Sequence, residues 1–228
     1  MTPDEILLEA PTGRSRSHTI VLVTGNPGCV GYYRTFLNSI HQSVNAENKD
    51  VGVTVYGKSL AGFEVNITKQ QSRIHSLQEQ IGYVQHCVDD LSQRLLPGSS
   101  EKLQVTLVGH SLGGYLILKV LQNYHQTRAT RNVRYDIKAA MLLFPAVMNI
   151  AQSPSGKKVS LPLAVPLGPA IYGKATWGFA QLMPRGGFRS MLAQLPEFRG
   201  AEKGSEKDQA IDTAIDFLRS PYGIHECM

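Results

Sequence analysis

Ser111 lies in Gly109-His110-Ser111-Leu112-Gly113, directly after the strand-forming run Val105-Thr106-Leu107-Val108. G-x-S-x-G behind such a run is the pattern in which a serine hydroxyl serves as a nucleophile at a sharp strand-to-helix turn. The turn leaves no room for side chains two positions before and after the serine, which Gly109 and Gly113 satisfy. It also sets the Leu112 N–H at a helix N-terminus, where it can face a developing oxyanion. A plain glycine turn with an exposed serine has the same five residues. The strand before and the helical stretch Tyr115 to Tyr124 after favour the elbow.

An oxyanion site needs a second donor, from the loop after an earlier strand. Thr24-Gly25-Asn26-Pro27-Gly28 follows the apolar run Thr19 to Thr24. Pro27 has no N–H, so Asn26 is the expected backbone donor. Gly, Asn and Pro also make an ordinary turn, and the two roles are compatible. The loop lacks the spacing of either common phosphate-binding glycine motif, which disfavours a nucleotide cofactor.

A serine hydroxyl also needs a base. In this kind of site the acid and then the histidine follow the serine in chain order. After Ser111 the histidines are His125 and His225. His125 is placed on the helix after the elbow, roughly 20 Å along it. His225 lies in PYGIHECM with no strand run before it. Asp208, Asp212 and Asp216 precede it but sit at helical spacing and read as a solvated face. His110 adjoins the serine, yet neighbouring side chains at such a turn point different ways. His225 therefore stays a candidate only by chain order, and triad acid and base are left unassigned.

These residues must be carried by strands that end together. VGVTVY (51–56), LQVTLV (103–108) and AAMLLF (139–144) join Thr19 to Thr24 as short buried strands, with Ile6 to Ala10 as a further edge strand. Helical stripes separate them: Phe36, Leu37, Ile40 and Val44, then a long one from about Lys69 to Leu96. Alternating strands and helices predict an α/β fold with a mostly parallel sheet. Residues 151–205 open with the Pro- and Gly-rich run SPSGKKVSLPLAVPLGPAIYG and read as a cap or lid insertion within one domain spanning 1–228. Residues 159–183 are apolar but broken by prolines, so they suit an interfacial element better than a bilayer span.

Composition narrows the partners. The chain has 228 residues, 42% apolar and 18% charged, enough for a core without disulfides. The net charge of +5 comes from scattered residues, with Lys157-Lys158 the one adjacent basic pair, so nucleic acid is not expected. Cys29, Cys87 and Cys227 are too far apart for a zinc site or a disulfide framework. The N-terminus lacks the charged and apolar regions of a secretory signal.

TGNPGCVGYYRTFL, VTVYGKSLAGF, VTLVGHSLGGY and LLFPAVMNIAQSPSGKK occur in this order. Together they resemble the lipid droplet-associated serine hydrolase family, an α/β-hydrolase branch, over nearly the whole chain. The resemblance implies ester hydrolysis of stored lipids, with cholesteryl ester as one substrate, at the lipid droplet or endoplasmic reticulum membrane surface. It implies no cofactor and no metal. The family carries its acid in a G-x-x-D-x-W segment and its histidine in a P-H-x-F segment, and neither occurs here. The chain is accordingly expected to stop within or after the cap region, with a free sheet edge and an incomplete triad. A non-catalytic lipid-droplet binding protein and a thioesterase or peptidase on the same fold are the competing readings.

Overall fold

The computed structural model describes residues 4–47, 49–65, 74–127, 130, 132–147, 152, 168–195, 198 and 204–220. The chain divides into two compact units. The first comprises 1–61 and 75–147, and the second 62–74 and 148–228.

The first unit is a five-stranded sheet in the order β1-β3-β2-β4-β5. Its strands are β1 (Glu5–Leu8), β2 (Ser15–Val23), β3 (Val51–Lys58), β4 (Leu103–His110) and β5 (Tyr135–Leu143). β1 runs antiparallel to β3, and the remaining pairs are parallel. All four strand runs expected from β-branched and apolar residues are present, and β1 is the anticipated edge strand. β5 begins at Tyr135, before the apolar run at 139, because its polar start pairs in register from Leu103↔Tyr135.

Helix α1 (Arg34–Glu47) covers one face, where Leu37 joins Ile6, Leu22, Val55 and Val108 in a buried cluster. Helices α2 (Leu77–Leu95) and α3 (Leu112–Thr127) pack together over the other. Helix α2 starts at Leu77, well after the expected Lys69. The Ser76 hydroxyl accepts the Glu79 N–H while the Glu79 carboxylate accepts the Ser76 N–H, a capping box that fixes the first turn. Ile74 lies before this cap and is exposed, and 66–73 fall outside the described residues.

Among the described residues β5 is the outer strand, and its Met141 and Leu142 are exposed. Apolar side chains from both faces of one strand thus meet solvent, unlike the mostly buried β4.

The second unit contains α4 (Gly168–Leu182), α5 (Arg185–Leu192) and α6 (Ser205–Arg219). Phe188, Leu192, Ile211 and Ile215 are buried, and Phe63 stacks on Phe217. Arg219 ties α6 to α4, donating to the carbonyls of Ala180 and Met183.

Candidate active site

β2 and β4 are parallel neighbours with Val23 opposite Gly109, so the turns that follow them open at the same end of the sheet. Residues 24–28 leave one strand there and residues 110–113 leave the other. Ser111 is half-buried and has φ 52, a left-handed conformation that costs a non-glycine residue about 1–2 kcal/mol. The strain belongs to the sharp change from strand to helix α3, as a nucleophile elbow requires.

The glycines allow the close approach. A Cβ on Gly109 would stand 2.6 Å from the Gly113 oxygen. One on Gly113 would stand 2.2 Å from the Val23 oxygen and 2.5 Å from the Thr24 oxygen. Gly113 is therefore needed for the seating of α3 against the end of β2 as well as for the turn itself. Gly114 has a comparable constraint that the five-residue motif does not include: its Cβ would meet Pro145 at 2.8 Å.

Backbone hydrogen bonds fasten the elbow to the end of β5. The Ser111 N–H donates to the Leu143 carbonyl at 2.9 Å, and the Ser111 carbonyl accepts from Gly114 and Ala146, each at 3.0 Å. Phe144, next along, also has a left-handed backbone (φ 46) and is 86% exposed, its ring edge-on to His110. Nothing in the sequence signals this, because phenylalanine seldom adopts that conformation.

The 24–28 loop presses on the elbow. A Cβ on Gly25 would lie 3.0 Å from both the His110 Nδ1 and the Ser111 Cβ. The Gly28 end is held by its own bonds: the Gly28 carbonyl accepts from Leu60 N–H and Thr24 Oγ1, and Ser59 Oγ accepts the Val30 N–H. The structure thus brings Gly25, Asn26, Gly109, His110, Ser111, Leu112 and Gly113 to one end of the sheet.

Among the described residues it brings no base to them. Among the described residues no side chain hydrogen-bonds the Ser111 hydroxyl. His110 Nδ1 is bonded to the Tyr33 hydroxyl, His18 to Thr106 Oγ1, and His41 to the Glu9 carbonyl. His125 is in the last turn of α3, as its spacing predicted. His225 lies outside the described residues. Asp208, Asp212 and Asp216 form a solvent-exposed face of α6, as expected, and also make ion pairs. Asp216 pairs with Arg185 at 2.9 Å and Asp208 with Arg189 at 2.8 Å, while Asp212 meets Arg189 at 2.5 Å. Three carboxylates laddered with two arginines of α5 are committed to holding two helices together. Among the described residues no cluster of His, Cys, Asp and Glu could hold a metal ion, and no helix is long and apolar enough to cross a membrane.

The model of a family described as lipid-droplet associated hydrolase matches residues 16–228. The lipid droplet-associated hydrolase of Gallus gallus is 29% identical over 154 residues, covering 67% of this chain and 44% of that protein. That of Drosophila melanogaster is 26% identical over 185 residues, covering 77% and 53%. The chain therefore spans about half the length of these relatives. Among solved structures, juvenile hormone epoxide hydrolase from the silkworm Bombyx mori superposes with a TM-score of 0.51 at 16% identity, covering 98% of this chain and 56% of that one. That likeness is one of fold, and the fold is the α/β-hydrolase fold. With a family match over almost its full length, the chain belongs to the lipid-droplet associated hydrolase family.

Proposed function

We propose that the protein is a serine ester hydrolase of lipid esters, working at the surface of lipid droplets or the endoplasmic reticulum. The observation that carries this reading is the strained Ser111 at the strand-to-helix turn, with the Gly25–Gly28 loop pressed against it. Ser111 Oγ is the nucleophile. It attacks the ester carbonyl, the carbonyl oxygen gains negative charge, and the backbone N–H groups of Leu112 and Asn26 receive it. Collapse of the tetrahedral intermediate expels the alcohol and leaves an acyl-serine, which water then hydrolyses.

The proton from Ser111 needs an acceptor, and this role falls to a group outside the described residues, with His225 one candidate. Without it the serine is a poor nucleophile: loss of the histidine in another serine hydrolase lowers turnover by roughly 10⁶. Unless His225 serves, the 228-residue chain alone is expected to turn over a short acyl ester very slowly. Residues 151–205 are read from the sequence as a cap or lid insertion, of which 153–167 lie outside the described residues. An apolar ester pool is consistent with its α4, where Ile171, Phe179 and Leu182 are exposed.

Added imidazole tests the reading by standing in for the base. The purified chain is mixed with p-nitrophenyl butyrate with and without imidazole, and the rate with imidazole alone is subtracted. A Ser111-dependent rate that rises with imidazole and vanishes in Ser111→Ala supports the nucleophile and oxyanion site. A Ser111-dependent rate without imidazole supports them too, and identifies a base in the chain. No Ser111-dependent rate under either condition overturns the hydrolase reading and favours a non-catalytic lipid-binding role.

A further inference from the structure

Tyr33 ends the short 3₁₀ turn Val30–Tyr33 that follows the 24–28 loop. Its hydroxyl oxygen accepts the Gly25 N–H at 3.1 Å and lies 2.8 Å from His110 Nδ1. The two rings meet edge to face, their centroids 5.7 Å apart. One phenol thus touches both parts of the site: the loop that carries Asn26 and the residue immediately before Ser111.

The backbone fixes one hydrogen-bond direction, and the His110 tautomer sets the other. Burial pushes the Tyr33 phenol above its ordinary range, against the pull of the Gly25 N–H, so it keeps its proton at neutral pH. Its oxygen accepts from Gly25, and its O–H can donate to His110 Nδ1 when the imidazole proton is on Nε2. A neutral His110 bonded in this way carries its own proton on Nε2. The chain Gly25 N–H to Tyr33 O–H to His110 Nδ1 then runs in one sense, and each bond polarises the next.

Separate bonds hold the Gly28 end, while the Gly25 N–H is held by this phenol. Gly25 also stands so close to Ser111 that a small shift of its peptide would alter the gap between Asn26 N–H and Ser111 Oγ. We propose that Tyr33 is a positioning residue, whose hydroxyl sets the spacing between the Gly25–Asn26 peptide and the elbow and thereby shapes the oxyanion site. His110 is the other end of that link. This rests on the assignment of Ser111 and Asn26 above. An acyl-transfer site is sensitive to such spacing, since a misplacement of about 1 Å can cost roughly 100-fold in rate.

Tyr33→Phe removes the hydroxyl and keeps the ring against His110. Three measurements on the full chain test the link: amide exchange at Gly25, the ¹⁵N shifts of the His110 ring, and imidazole-supported turnover of p-nitrophenyl butyrate. In Tyr33→Phe, Gly25 exchange should rise by about 10-fold or more, and the His110 ring shifts should report a changed tautomer balance. The kcat should fall by about 10-fold with KM within about 2-fold, because the change is made to the transition-state site rather than to substrate binding. His110→Phe cuts the same link from the elbow side and should lower kcat comparably. Wild-type exchange and ring shifts in Tyr33→Phe would overturn the positioning role, as would a fall confined to KM. Exchange and ring shifts report on the link whether or not Ser111 turns over. An inert wild-type chain would instead overturn the hydrolase reading, and with it the catalytic meaning of the link.

Discussion

The Ser111 N–H donates to the Leu143 carbonyl at 2.9 Å, so the turn at the end of β4 is fastened to the end of β5. Two strained backbones lie side by side there, Ser111 at φ 52 and Phe144 at φ 46. Each costs about 1–2 kcal/mol. The three hydrogen bonds at the Ser111 peptide groups contribute about 1 kcal/mol each and offset it. The elbow is thus a property of two strands and a helix together, which makes its glycines the sharpest test of the geometry.

Gly113→Ala should destabilise the chain by about 3 kcal/mol or more, because its Cβ would meet two carbonyl oxygens of the β2 end that cannot yield. Gly82→Ala is the contrast. That glycine is inside α2 with nothing within 4 Å of its would-be Cβ, so alanine should stabilise by about 0.5–1 kcal/mol. Urea unfolding of the two variants checks both signs. Equal stability of Gly113→Ala and wild type would refute the seating of α3 on β2.

His18 gives a pH signature. Burial and the nearby Lys138 hold its imidazole below the ordinary histidine range. The folded state therefore disfavours the protonated ring. Stability from this group is complete above about pH 6.5 and is lost as pH falls toward the lower folded value. His18→Gln should make the unfolding midpoint depend less on pH between about 7 and 5.5. Parallel curves for the two proteins in thermal scans would show that His18 carries no such linkage.

The parts of the fold visible in the sequence were those with local causes. β-branched runs at 19–24, 51–56 and 103–108 announce strands, and GHSLG between a strand and a helix announces the turn. The start of α2 was also local, yet its apolar stripe continues past the Ser76–Glu79 cap to Ile74, so periodicity overran the cap. Contacts between distant segments were not readable. Nothing near Gly114 points to Pro145, and nothing near Tyr33 points to His110, 77 positions later. The aspartates of α6 are solvent-exposed as expected, but their ion-pair partners, Arg185 and Arg189, belong to another helix and were not readable.

That ladder makes a separate prediction. Asp212 faces both arginines, so Asp212→Ala should lower the unfolding midpoint at low salt, with the gap narrowing in about 1 M salt, where screening acts within about 3 Å. Imidazole-supported turnover should be unchanged, since the carboxylate serves a helix pair and not the serine. Loss of that turnover would assign Asp212 a catalytic part.

Lipid contact is the last property open to direct measurement. Ile171 is 64% exposed, Phe179 48% and Leu182 87%, all on α4, in a helix without an acidic first turn or a basic last turn. Scattered apolar residues on a surface mean little, but three large ones on one short helix offer an area that gains by leaving water. Burying a large apolar side chain is worth about 1.5–3 kcal/mol. Replacing all three with Ser should therefore weaken binding to triolein droplets coated with phosphatidylcholine by at least about 30-fold, even if only half of that free energy is realised. The fold should survive, because the buried Ala180, Phe188 and Ile211 are untouched. Droplet flotation with wild type and the triple variant reads the difference. Equal flotation of the two, with both folded, would remove α4 as the lipid-contacting element.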